Sequence, residues 1–283
     1  MIKQQKTKFK DAFVMKLNNA LRYLLFFFLG GFIFSACESV LESDTAPGTL
    51  QVLLTDAPAD YEAVIIDIRE VRVHRSSDAE DDDGGWEVIN DQPIKVDLLE
   101  LTNGNKEILG EAELEPGTYN QIRLILGDEN ELVINGSTQQ LKTPSAQQSG
   151  LKLKINAEIE SNRTYTLLLD FDASRSIVRA GNSGKYLLKP VIRTVSLAET
   201  GAISGEIEPA EALPWIYAIA GEDTVAGTRA SEEGDFLMIG IPSGTYQVSI
   251  LPADEDLYNR TIVSNVEVMS PDTTNIGTIS LDN

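Results

Sequence analysis

The chain holds one cysteine and one histidine in 283 residues. That excludes a disulfide framework, a Cys/His zinc site and any mechanism that needs two histidines. Positive charge is scarce: 23 Lys and Arg stand against 44 Asp and Glu, for a formal net charge of −21. Such a balance argues against recognition of DNA or RNA through their phosphates. Residues 201–283 hold no lysine at all, so no lysine-to-Asn/Asp isopeptide crosslink can form inside that segment. Nothing resembles the Gly-x-Ser-x-Gly turn of a serine hydrolase. The uncharged run Tyr23 to Phe34 has 12 residues, well short of the ~20 that a helix needs to cross a bilayer. What remains is 42% apolar, 24% charged and 7% aromatic, enough for a packed core in one large domain or two ordinary ones.

The first 36 residues carry Lys3, Lys6, Lys8, Lys10, Lys16 and Arg22 against Asp11 alone, followed by that uncharged run. A basic stretch and then an apolar one make a secretory signal, with either Met1 or Met15 as its start. The run closes on Phe34-Ser35-Ala36-Cys37, which resembles the lipobox of bacterial lipoproteins. The resemblance implies cleavage before Cys37 and acylation of that cysteine, a membrane anchor of two or three chains. Without residues 1–36 the chain keeps 17 basic and 43 acidic groups. Residues 37–46, short and acidic, then read as a tether that stands off an anionic membrane surface. Acidic residues directly after the cysteine resemble export signals of some Gram-negative envelopes, which implies the cell envelope and its outer membrane as the location.

From Pro47 onward apolar residues alternate with period 2 between Gly, Pro, Asn and Asp, the pattern of strands joined by turns. Thr49–Thr55, Ala63–His74, Tyr119–Leu126, Leu151–Ile159 and Tyr165–Phe171 are examples, and only Asp97–Gly104 has room for a helical turn. The expected class is all-β: two consecutive β-sandwich domains, 47–200 and 201–283. Composition places the boundary, since 47–200 carries 15 basic and 26 acidic groups and 201–283 only Arg229 and Arg260 against 14 acids. Both segments step into a strand through a glycine turn and a tyrosine, at Pro116-Gly117-Thr118-Tyr119 and Pro242-Ser243-Gly244-Thr245-Tyr246.

The second segment, through Ile203-Ser204-Gly205-Glu206-Ile207, Glu233-Gly234-Asp235-Phe236, Gly240 to Val248 and Ile276-Gly277-Thr278-Ile279, resembles the carboxypeptidase regulatory-like domains. These are prealbumin-type sandwiches of the carbohydrate-binding-like fold group. The likeness implies about seven strands and a spacer, docking or sugar-binding role, with Ile203, Ile207, Phe236, Ile241, Tyr246, Val248 and Ile250 inside. The first segment is similar to an uncharacterised, DUF4382-like domain of bacterial lipoproteins. Thr55-Asp56-Ala57-Pro58, the Val64–Val73 strand, Pro116 to Tyr119 and Leu169-Asp170-Phe171-Asp172 carry that likeness, which implies no known activity.

Four constellations bear on function. His74, beside Arg72 and Arg75, reads as a solvent-facing histidine, with a general base as its alternative. Asp81, Asp82 and Asp83 sit in an acidic run before Gly84-Gly85. The spacing fails the EF-hand register, so a solvated hairpin tip is expected and an irregular calcium loop is the alternative. Trp215 and Tyr217 share one face of a strand and Ile216 and Ala218 the other. Either the rings fill the core, as large apolar groups do, or they stand outside as a platform for the C–H face of a sugar. Lys152, Lys154, Lys189 and Arg193 come from a stretch, 142–193, with nine basic and four acidic groups. They form either a patch for an anionic polysaccharide or acidic partner, or half of a mutual neutralisation across the sandwich.

The reading is a non-catalytic cell-envelope lipoprotein acting as a binding or scaffolding module, with no catalytic residue and no cofactor. Its partners are the membrane through the lipid anchor, and a polysaccharide or another envelope protein. Carbohydrate binding by the C-terminal sandwich is the narrower alternative. A hydrolase built on dispersed carboxylates is the alternative from another class; with 43 carboxylates after Ala36, candidate pairs arise by chance.

Overall fold

The computed structural model describes residues 46–80, 82–143, 150–181 and 183–282. Residues 1–45, with Cys37, and the single residue Asp81 lie outside the described residues.

The chain is all-β. Its strands are β1 Gly48–Ala57, β2 Ala63–His74, β3 Glu87–Asn90, β4 Ile94–Asp97, β5 Glu107–Leu114, β6 Gly117–Leu126, β7 Glu131–Ile134, β8 Ser137–Gln140, β9 Leu151–Ile159 and β10 Thr164–Asp172. After a short helix α1, Ala173–Ser176, come β11 Ile177–Arg179, β12 Tyr186–Leu188 and β13 Ile192–Ser196. The rest is β14 Thr200–Glu208, β15 Trp215–Ala220, β16 Asp223–Arg229, β17 Asp235–Pro242, β18 Gly244–Leu251, β19 Thr261–Val268 and β20 Thr273–Ser280.

In the first sandwich a sheet ordered β13-β10-β1-β5 faces one ordered β8-β7-β2-β6-β9, with β3 and β4 paired to β2. Alternation explains the layers: Leu50, Val52 and Leu54 point inward from β1, and Ile66, Ile68, Val71 and Val73 from β2. A sheet that buries one face this way has its register fixed, because a slip of one residue would turn every apolar side chain outward. β1 and β10 run parallel, Thr55 beside Asp170 and Asp56 beside Phe171. The one helical turn expected between strands is a 3₁₀ turn at Leu98–Leu101, capped by the Asp97 carboxylate accepting from the Leu99 amide.

The second sandwich has sheets β17-β14-β20 and β16-β15-β18-β19. Ile203, Ile207, Phe236, Ile241, Tyr246, Val248 and Ile250 all lie in its core, each contributing about 1.5–3 kcal/mol of transfer free energy on full burial. Both tyrosine steps do the same work. The Tyr119 hydroxyl donates to the Glu115 carbonyl at 3.3 Å, and the Tyr246 hydroxyl to the Pro242 carbonyl at 2.7 Å. Each tyrosine thus pins the turn four residues behind it, in the manner of a tyrosine corner.

The acidic run lies in the connection of the antiparallel pair β2 and β3, with Asp78, Glu80, Asp82 and Asp83 exposed. Within it Ala79 is 2% exposed, packed over the outer face of β6. Its carbonyl accepts from the buried Arg123 guanidinium at 2.6 Å and from Gln121. Trp86 closes the cover, with Arg72 and Arg123 each within 5 Å of its ring centre.

Candidate functional site

The two sandwiches meet along a seam that the sequence did not announce. Asn103, in the loop after the 3₁₀ turn, reaches the edge of the second sandwich. Its amide N–H donates to the Thr228 hydroxyl at 2.8 Å. Its side-chain oxygen accepts from the Leu237 amide at 2.6 Å, and its side-chain nitrogen donates to the Asp235 carbonyl at 3.3 Å. The amide side chain thus occupies the place of a further strand on the β17 edge and covers groups that an open edge leaves unpaired. A left-handed backbone, φ 56°, aims it there, a conformation that asparagine tolerates better than most residues.

A second clasp runs from β13. Arg193 grips the Asp170 carboxylate at 2.6 Å and donates through its remaining nitrogen to the Gly240 carbonyl at 2.7 Å, across the seam. Gly240 has φ +70°, and a Cβ there would press on Leu168 of the first sandwich. Burial pushes the Asp170 carboxyl above its ordinary value, and Arg193 pulls against that shift. Asp56, on the opposite face of the parallel strand pair, is pushed up further by burial. The Ala173 amide opposes that shift, and Asp170 and Asp172 add to it. One Asp56 oxygen accepts from Ala173 at 3.0 Å, while the other is buried without a hydrogen-bond partner.

Beside Arg193 lies a cleft of about 170 Å³ walled by Asp170, Asp172, Arg175, Arg193 and Tyr217. Its polar groups are spent on one another, since Asp172 accepts from the Ser174 hydroxyl and the Arg175 amide. What the arrangement does is hold two sheets in one orientation. Thr55 to Pro58 and Leu169 to Asp172, two of the segments that carry the family likeness of the first domain, both converge here.

The candidate residues fall as follows. Cys37 and Asp81 lie outside the described residues. Asp82 is exposed, and Asp83 spends an oxygen on the Glu80 amide at 2.7 Å; among the described residues no three His, Cys, Asp or Glu side chains form a metal-holding group. His74 does not stand free in solvent. Its Nδ1 accepts from the Ser76 amide, which leaves the hydrogen on Nε2 to be donated to the Gly84 carbonyl, and its ring packs on Trp86. With both nitrogens engaged, it fixes a loop.

The four-cation patch does not form. Lys152 pairs with Glu80 at 2.6 Å and Lys154 approaches Asp78 at 3.9 Å, so the basic stretch neutralises the acidic one. Arg193 is consumed by the seam, and the exposed Lys189 lies before β13 and not on a strand with it.

Trp215 and Tyr217 are not core residues. Ile216 and Ala218 fill the core at 0% exposure, and the rings, on the other side of the strand, lie half-buried on the outer face. Nor are they a bare platform. The Arg229 guanidinium sits 5.1 Å from the Trp215 ring centre. Tyr217 lies across Gly227, where Pro58 of the first sandwich also approaches.

No curated protein matches the chain. Among solved structures, a type II cohesin–X-dockerin complex from Acetivibrio cellulolyticus aligns at 23% identity over 29% of this chain, with a TM-score of 0.23. The chain spans only 56% of that protein's length. The TIE protein of Bacillus anthracis aligns at 12% identity over 83% of this chain and 34% of its own, TM-score 0.23. A minor pilin of Streptococcus agalactiae aligns at 11% identity over 82% of this chain and 94% of its own, TM-score 0.22. A family model matches about half of the chain, residues 47–190, and by that match the chain belongs to the family described as a domain of unknown function, DUF4382.

Proposed function

We propose that the chain is a non-catalytic cell-envelope lipoprotein whose two sandwiches act as one rigid binding or scaffolding body. In this reading residues 1–36 are removed, Cys37 carries the acyl chains, 37–46 is the tether, and 201–283 is a carboxypeptidase regulatory-like module. The lipid anchor rests on Phe34-Ser35-Ala36-Cys37, and the observation that carries the single rigid body is the seam. Asn103 and Arg193 each cross from the first sandwich to backbone groups of the second. Such bonds add orientation to proximity, which a spacer or display unit needs and a loosely linked pair of domains lacks. A second reading, carbohydrate binding by the C-terminal sandwich, is favoured by the placement of Trp215 and Tyr217 outside the core.

Membrane fractionation of cells producing the intact chain tests the first reading. The unaltered protein is expected in the membrane fraction with an acylated Cys37. Cys37→Ser is expected to leave an unprocessed precursor or a released protein. An unmodified Cys37 in mature, membrane-bound protein overturns it.

A further inference from the structure

One end of the outer face of the sheet β16-β15-β18-β19 carries both basic residues of its sandwich, with the exposed Glu267 on the same face farther along β19. Cross-strand register places Arg229, Trp215 and Leu251 in one row, and the half-buried Tyr217, the buried Ser249 and the exposed Ile262 in the next. Arg260 directly precedes β19, and its Nε donates to the Ser249 hydroxyl at 3.0 Å, so its side chain lies on the same face. These are the only two basic residues of 201–283, and none of that segment's 14 acids occupies either row. Among the described residues neither arginine forms an ion pair with a carboxylate. In a segment with seven acids per base, neutralisation would be the default for a surface arginine. Arg229 is instead parked on the Trp215 ring and Arg260 on a hydroxyl.

The shape of the face decides among occupants. Three strand-to-strand steps of ~4.8 Å, ~14 Å in all, separate the strand of Arg229 from that of Arg260, and the two side chains lean inward from those strands onto Trp215 of β15 and Ser249 of β18. Along the strands the two rows lie ~7 Å apart, giving an area of order 100 Å². A stable protein partner needs ~800 Å² on each side. A narrow, extended ligand with anionic groups repeated along it and flat apolar faces between them fits better. A chain of carboxylated pyranose rings has that chemistry. Its carboxylates pair with the guanidiniums in charge-assisted bonds, and its C–H faces lie on Trp215, Leu251 and the exposed Ile262. We propose that this face binds an anionic polysaccharide, laid across the strands from Arg229 to Arg260. The proposal rests on the carbohydrate-binding reading and adds the charge of the ligand.

The test is titration calorimetry of the full-length chain in detergent micelles with polygalacturonate, neutral dextran and poly-L-glutamate, at low and physiological salt. Polygalacturonate is expected to bind, more weakly as salt rises, with dextran and poly-L-glutamate at least tenfold weaker. R229Q and R260Q should each lose about tenfold in affinity for polygalacturonate, and R163Q, on the first sandwich, none. R260Q leaves the Trp215 contact intact, so it reads the charge even where R229Q disturbs packing. Equal binding of dextran and polygalacturonate, unchanged in both arginine variants, overturns the proposal and leaves the carbohydrate reading standing. Binding of poly-L-glutamate as tight as that of polygalacturonate overturns it in favour of an acidic protein partner. No binding of any glycan overturns both.

Discussion

Replacing Asn103 by alanine tests the seam at its narrowest point. The change deletes the oxygen that accepts from the Leu237 amide at 2.6 Å and the nitrogen that donates to the Asp235 carbonyl at 3.3 Å. The first loss dominates: the Leu237 N–H is partly buried, and an amide left unpaired there costs about 1–3 kcal/mol. The second bond is long and exposed and adds little. Alanine must also adopt φ 56°, which costs a further ~1 kcal/mol for a residue with a Cβ and no local hydrogen bond. Asn103→Ala should therefore destabilise the seam by about 2–4 kcal/mol, and Asn103→Gly, which tolerates that backbone, by about 1–3 kcal/mol. Asn103→Asp keeps the acceptor for Leu237 and should fall nearest the wild type. Urea unfolding of a chain beginning at residue 46, combined with amide exchange at Leu237, measures both quantities. One transition should split into two in the alanine variant, with Leu237 exchange faster. An unchanged midpoint and unchanged Leu237 protection would refute the reasoning.

Asp56 supplies a pH test. Its folded carboxyl is raised by burial above the ordinary value of about 3.9. The folded state therefore takes up this proton before the unfolded state does, and its contribution to stability is present below the unfolded value and lost as pH rises through the folded one. Asp56→Asn, which keeps an acceptor for Ala173, should flatten that part of the stability–pH curve; an identical slope in variant and wild type would contradict the assignment. Tyr246→Phe removes the hydroxyl bond to Pro242 and should cost about 1 kcal/mol in thermal or urea unfolding, with no change expected in seam exchange at Leu237. A loss within error of zero would deny the tyrosine its role as a pin.

Period-2 alternation reads strands well because each side chain has only two directions to take. Ala63–His74 and Leu151–Ile159 are strands over those residues. The same pattern does not say which face is inside, and at Trp215 to Ala218 the size of the rings pointed the wrong way. Ile216 and Ala218 lie inside, beside Phe236 and Tyr246 in the core. Nothing local announces that Arg123, midway along an apolar strand, is buried with its guanidinium donating to the Ala79 carbonyl. The seam was illegible for a similar reason. Asn103 and Leu237 are 134 residues apart, and the local signal of Asn103-Gly104 is only a turn. Charge was legible in bulk and not in detail: of the basic residues in 142–193, Lys152 and Lys154 meet Glu80 and Asp78 of the acidic run. The two arginines of 201–283 stood out in composition, yet only the register put them on one face.

The central claim is that the seam makes one body of two sandwiches, and a distance distribution tests it most directly. With Cys37→Ser removing the native thiol, Ser137→Cys and Ser264→Cys place spin labels on exposed positions of the first and second sandwich. Pulsed dipolar spectroscopy should return a single narrow distribution, which broadens when Asn103→Ala and Arg193→Ala are added. A broad or multi-peaked distribution in the chain with its seam intact would contradict the claim.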